Sequence, residues 1–173
     1  MKAVTFSYDD GVTQDIRLVE ILNRYSLKAT FNLNSELLGK DGSLDILGKR
    51  ILHNKVQPHE ITEIYKGHEI AAHTLTHPDM TEMPADEVIR QVEQDRLNLS
   101  ELSGTEVIGM AYPGRQPNYN SRIARIIKNG TGVKYARTTI CNKDFSYQND
   151  LYEFHPSVFH RDWDQLYKLA EKF

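Results

Sequence analysis

The sequence predicts an α/β fold built on a mostly parallel sheet, and three observations carry that prediction. Short β-branched or aromatic runs alternate with amphipathic helical stretches along the 173 residues, the pattern of repeated strand–helix–strand units. Hydrophobic residues make up 39% and charged residues 26%, a composition that can build a packed core. The polar phrases fall at the carboxyl ends of the predicted strands, where parallel α/β folds keep their ligands.

The elements follow in order. Residues 3–6 read as a first strand, stopped by the turn signal Asp9-Asp10-Gly11. Residues 14–25 place Ile16, Val19, Ile21 and Leu22 on one helical stripe. Residues 28–34 form a second strand, and the glycine-punctuated stretch 37–57 reads as a loop with a short helix over 46–52. Pro58 opens a helix through Ile61, Ile64 and Tyr65 that Gly67 stops. Residues 69–72 are a third strand running into His73, and 84–102 form a long amphipathic helix with its charges on a solvated face. Residues 107–112 are a fourth strand, Ser121 caps a helix carrying Ile123, Ile126 and Ile127, and 133–139 are a fifth strand. Residues 150–159 read as a sixth, and Asp162 opens a closing helix in which Trp163 belongs to the core.

Net charge is −3, which points to neither a nucleic acid nor an anionic membrane as partner. No apolar run is long enough for a membrane span or a signal peptide, so the expectation is one cytoplasmic domain over residues 1–173. The single cysteine, Cys141, excludes an intrachain disulfide and a multi-cysteine zinc site.

His73-Thr74-Leu75-Thr76-His77 carries the chemistry. Two imidazoles four residues apart share one face of a single helical turn and can bind one ion, and Pro78 limits the helix to that turn. A carboxylate is the natural third ligand, and Asp9 and Asp10 both offer one from another strand end. Three protein ligands and an open position describe a catalytic rather than a structural metal. Zinc is the preferred ion; cobalt, nickel and iron suit the same donors. His53, His59 and His68 read as surface residues.

Thr5-Phe6-Ser7-Tyr8-Asp9-Asp10-Gly11 resembles the first motif of the polysaccharide deacetylase family, also called the NodB-homology or carbohydrate esterase 4 family. The usual motif is Thr-Phe-Asp-Asp-Gly, so Ser7-Tyr8 reads as an insertion. Residues 67–78 resemble the second motif, and Lys28-Ala29-Thr30-Phe31-Asn32 the family's second strand. The resemblance implies a distorted, incomplete (β/α) barrel of six to seven parallel strands and metal-dependent removal of acetyl groups from a carbohydrate. It implies Asp9 as general base and Asp10, His73 and His77 as metal ligands. Two departures stand out. Ala111 occupies the place of the arginine that orients the base, so Arg115 either reaches back to Asp9 or is a loop charge, with Tyr112 as a further supporting candidate. The late motifs are diffuse, leaving His155 and His160 to compete as general acid; His160 is preferred because it follows the sixth strand directly. The alternatives are an amidohydrolase for a small non-sugar amide, and a weakly active or inactive metal- or glycan-binding homologue.

Overall fold

The structure is a computed structural model that describes residues 4–114, 117–159 and 161–172. Strand β1 (Phe6–Asp9) leads into helix α1 (Asp15–Arg24) and strand β2 (Ala29–Leu33). A hairpin follows, β3 (Ser43–Ile46) and β4 (Lys49–Leu52), then a 3₁₀ turn (Pro58–Glu60) running into α2 (Ile61–Ile64). Strand β5 (Glu69–Ala72) precedes a long helix in three parts: α3 (Ala85–Ile89), a π turn (Arg90–Gln94) and α4 (Asp95–Ser103). Strand β6 (Gly109–Ala111), α5 (Ser121–Gly130), β7 (Tyr135–Arg137), a 3₁₀ turn (Leu151–Glu153) and α6 (Trp163–Lys172) complete the chain.

The main sheet runs β1-β2-β5-β6-β7 with every pairing parallel, so all five carboxyl ends open on one rim. Strand β2 is buried along its whole length: Phe31 and Leu33 pack on one face, while Thr30 and Asn32 on the other bond to Glu69, Ser7 and Asp9 of the adjacent strands. Phe31 and Leu33 are wholly buried there, packed in one core with Ile61 and Tyr65 on one side and Val88, Val92, Ile123 and Ile127 of the later helices. Burying each such side chain contributes about 1.5–3 kcal/mol. Gly109 has a packing reason: a Cβ there would meet the Tyr135 ring of the neighbouring strand at 2.2 Å.

The sheet curls until its two edges meet. Arg137, at the end of β7, donates from Nε to Ser7 Oγ on β1 at 2.9 Å and from Nη2 to Asp9 Oδ1. This is the distorted, incomplete barrel, with five parallel strands among the described residues rather than six or seven. The expected sixth strand is absent because Asp150 accepts a hydrogen bond from the Tyr152 N–H and starts a 3₁₀ turn, leaving one bridge between Phe154 and Arg137.

Other expectations are corrected. Ser7 and Tyr8 form no bulge: they pair in continuous register with Thr30 and Phe31 and are part of the strand that delivers Asp9. The helix expected over 46–52 is half of a hairpin whose Leu47-Gly48 corner takes two positive φ angles, 53° and 74°. Its strands are exposed along nearly all their length, so no buried alternation marks them in the sequence. Asn120, not Ser121, caps α5, its Oδ1 accepting from Ile123 N–H at 3.0 Å. Trp163 is 61% exposed and is not core. Finally, the long charged helix is not charged on one solvated face alone. Its π turn carries an extra residue that resets the helical face. Gln91 and Asp95 consequently point inward, at 3% and 0% exposure.

Candidate active site

Strand β1 ends on Asp9, and the chain then turns sharply. Asp10 has φ of 83°, a left-handed conformation that a side chain other than glycine adopts at a cost of order 1–3 kcal/mol. Three hydrogen bonds hold that turn. The Asp10 N–H donates to Asn32 O at 2.9 Å, Lys55 Nζ donates to Asp10 O at 2.8 Å, and the Val56 N–H donates to Gly11 O at 2.9 Å.

Strand β5 delivers His73. Its N–H lies 2.8 Å from Leu33 O and 2.9 Å from Asp95 Oδ2, and its side chain is buried. Nδ1 lies 2.9 Å from Ala111 O, and because a carbonyl can only accept, Nδ1 carries the proton and Nε2 is left as the ligand atom. Burial keeps the ring neutral by pulling its pKa down, against the pull of Asp9 and Asp10, and neutral imidazole is the form that binds metal. Residues 73–77 make no helical turn. They form a loop in which Thr74 and His77 both take positive φ, 69° and 59°. It is braced by Asn34 Nδ2 donating to His73 O and Thr74 O, by Thr74 Oγ1 accepting from His77 N–H, and by the Gln91 carbonyl accepting from Leu75 N–H.

The loop brings the two rings into edge contact, their centroids 4.9 Å apart, and His77 Nε2 lies 3.7 Å from Asp10 Oδ1. One donor atom each from Asp10, His73 and His77 lies within 4.8 Å of the other two. Two imidazole nitrogens and one carboxylate, with the His73 tautomer already set, fit a divalent ion of the zinc type.

Asp9 stands beside this cluster with different partners. Its Oδ1 accepts from Asn32 Nδ2 at 2.9 Å and from Arg137 Nη2. Burial would raise its pKa, but the charge of Arg137 and the hydrogen bonds from Arg137 and Asn32 outweigh it and hold the carboxyl below its usual range. Asp9 is therefore ionised at neutral pH. Arg137 is the residue that sequence reasoning missed. It pairs in register with Ala111, so the neighbouring strand supplies an arginine at the level where the fourth strand has none. The signal was its place at the end of a strand already predicted.

The remaining candidates fare differently. Tyr112 is buried, its hydroxyl donating to Tyr152 O at 2.8 Å and its N–H to Arg137 O at 3.0 Å, so neither group is free for a reacting molecule. His155 sits beside Thr138, with Nδ1 2.7 Å from Thr138 Oγ1, and Gln148 brackets its backbone. Arg115 and His160 lie outside the described residues. His53 is not a plain surface residue: its Nε2 lies 3.4 Å from Asp10 Oδ2, while Lys55, only 8% exposed, lies 3.4 Å from Oδ1. His68 is also engaged, its ring bonding to the Ala29 N–H and to Asn23.

This rim is the site of a carbohydrate-esterase type of fold. The chain matches the family described as polysaccharide deacetylase over residues 1–136, and it belongs to that family. Among curated proteins it is 25% identical over 107 residues to a bifunctional xylanase/deacetylase of Pseudobutyrivibrio xylanivorans, covering 61% of this chain but 15% of that protein. Among solved structures it superposes on the Streptococcus pyogenes deacetylase PplD, determined with acetate, with a TM-score of 0.72 at 21% identity, covering 94% of this chain and 67% of that one. A polysaccharide deacetylase from Bacillus cereus gives the same TM-score at 17% identity, covering 94% of this chain and 49% of that one. No described helix is long and apolar enough to cross a membrane.

Proposed function

We propose that the protein is a metal-dependent hydrolase that removes acetyl groups from an acetylated carbohydrate and releases acetate. The observation that supports this best is the pairing of two carboxylates with opposite surroundings. Asp10 shares a donor cluster with His73 and His77, with His53 and Lys55 beside it, whereas its neighbour Asp9 lies outside that cluster and faces Arg137 and Asn32. One is dressed as a ligand and the other as a base.

A divalent ion held by Asp10, His73 and His77 would polarise the acetyl carbonyl and make a nearby water acidic. Asp9 accepts the proton that this water gives up as it attacks the carbonyl carbon. Its hydrogen bonds to Arg137 and Asn32 fix the direction from which it does so. The sugar nitrogen or oxygen that leaves must take a proton from an acid. His160 fills that role in this proposal, with His155 as its rival. Comparing His160→Ala with His155→Ala separates them, because loss of the acid lowers kcat while leaving metal affinity unchanged. The vacancy at Ala111 gives no ground for an inactive homologue, since Arg137 meets the base from the next strand.

The test is acetate release from N-acetylated chitooligosaccharides and from acetylated xylan, with the protein stripped of metal and then reloaded with zinc or cobalt. Release that depends on metal and disappears with His73→Ala supports the proposal. Metal binding without acetate release from either polymer overturns the carbohydrate assignment.

A further inference from the structure

We propose that His53 is a positioning residue for the metal site, holding one oxygen of Asp10 so that the other faces the ion. The inference rests on the reading of Asp10, His73 and His77 as a metal triad. The two oxygens of Asp10 have different neighbours. Oδ1 lies 3.7 Å from His77 Nε2, on the histidine side of the cluster, and 3.4 Å from Lys55 Nζ, while Oδ2 lies 3.4 Å from His53 Nε2. Carboxylate groups swing about their last side-chain bond, and a ligand that must be searched for binds less tightly than one already aimed. A ring nitrogen 3.4 Å from Oδ2 restrains that swing. Partners of this kind, one step removed from the ion, set the orientation of the groups that touch it.

The fold shows how His53 comes to be there. It follows β4, so the hairpin that interrupts the strand–helix alternation carries it in. The His53 N–H donates to Gly42 O, and two residues on, Lys55 is locked by its own N–H to Lys40 O. Val12 and Lys55 form an antiparallel bridge, which joins the stretch after the hairpin to the turn containing Asp10. Within that stretch Lys55 holds the Asp10 carbonyl and His53 meets the Asp10 carboxylate. The hairpin is exposed along most of both strands and contributes little to the core, yet the segment it leads into grips Asp10, the carboxylate ligand, which stands in a left-handed conformation. His53 is not itself a fourth member of the donor cluster, which closes on Asp10, His73 and His77.

The experiment measures the affinity of the whole chain for zinc and for cobalt by competition with a chromophoric chelator, comparing wild type with His53→Ala and His53→Gln. His53→Ala should bind about 10–100-fold more weakly. His53→Gln should recover part of the loss, because its amide N–H can still donate to a carboxylate oxygen. The cobalt absorption spectrum at saturation should be the same in all three, since no ligand has changed. Acetate release by His53→Ala should return toward wild type once metal is saturating. Wild-type affinity in His53→Ala overturns the assignment, as does a changed cobalt spectrum, which would make His53 a ligand. Activity that stays lost at saturating metal also overturns it, by placing His53 in the reaction. A wild-type protein that binds neither ion sinks the deacetylase reading, whereas tight wild-type binding with an unaffected His53→Ala sinks only this inference.

Discussion

Asp15 offers a test that needs no substrate. It opens α1 with its side chain buried, 4% exposed, and Tyr65 donates its hydroxyl to Oδ2 at 2.8 Å. Burial raises its pKa from 3.8 to about 6, against the weaker opposing pull of the Tyr65 hydrogen bond, a backbone hydrogen bond and Lys55. The folded state therefore keeps a proton on Asp15 at pH values where the unfolded chain has released it. Stability from this group is fully present below pH 3.8 and is lost as pH rises through about 6. At about 1.4 kcal/mol per pH unit, the rise corresponds to about 3 kcal/mol forgone at neutral pH. Asp15→Asn keeps the shape and the acceptor for Tyr65 but cannot ionise. Metal-free urea unfolding at intervals from pH 4 to pH 8 should show the variant and wild type close together at pH 4. The variant should then gain steadily, by up to about 3 kcal/mol at pH 7 and above. Taking the difference between the two proteins cancels the other carboxylates, several of which lose stability in acid. Parallel stability curves across that window would refute the claim that Asp15 ionises at a cost in the folded protein.

Three further outcomes follow from the site and the sheet. Arg137→Ala should lower kcat/KM about 10–100-fold, toward the low end because Asp9 is partly open to water, by removing a charge-assisted hydrogen bond of about 1.5–3 kcal/mol. With Asp9 no longer held below its usual range, the acidic limb of the pH–rate profile should also move to higher pH; an unmoved limb argues that Arg137 only joins strands. Asp9→Asn should keep its zinc affinity within a few-fold while losing about 10²–10⁴ in kcat, and loss of zinc would show that Asp9 is a ligand. Gly109→Ala should destabilise the fold by about 1–3 kcal/mol, read from the urea midpoint, because the new methyl collides with the Tyr135 ring.

The legible parts of this protein are those in which local chemistry and tertiary place agree. The strand–helix alternation marks β1, β2, β5, β6 and β7 because each is short, apolar and followed by turn residues or a helix. The histidine spacing and the paired aspartates were visible because all four residues lie close to strand ends. What escaped has a common cause. Arg137 matters only because curling brings the first and last strands together, and no local pattern reports a contact between opposite edges of a sheet. Asp95 and Gln91 looked like two more polar residues on a charged helix, and only the π turn directs them at the His73 loop. His53 gains its meaning from a hairpin whose Leu-Gly corner lacks the usual Asn-Gly or Asp-Gly signal and whose strands carry no buried face. The helical turn predicted at the histidines failed for a related reason. Their spacing is the same in a helix and in a braced loop, and the bracing comes from Asn34 and Gln91, far away in sequence.

The closure between Arg137 and Asp9 also divides labour along the chain. Every proposed metal ligand lies between the first strand and the loop after β5, whereas the group that readies the base arrives only with β7. In the proposed reaction the ion's ligands and the base therefore come from the first half of the polypeptide, and the arginine that orients the base comes from the second. The second half is joined to the first at this point by side chains alone, with no backbone ladder between β1 and β7. A nascent or partly unfolded chain could hold an ion without being able to use it. In the proposed reaction, competence to hydrolyse would depend on the meeting of β1 and β7, and loss of acetate release should precede loss of metal when the protein is opened gently at that seam.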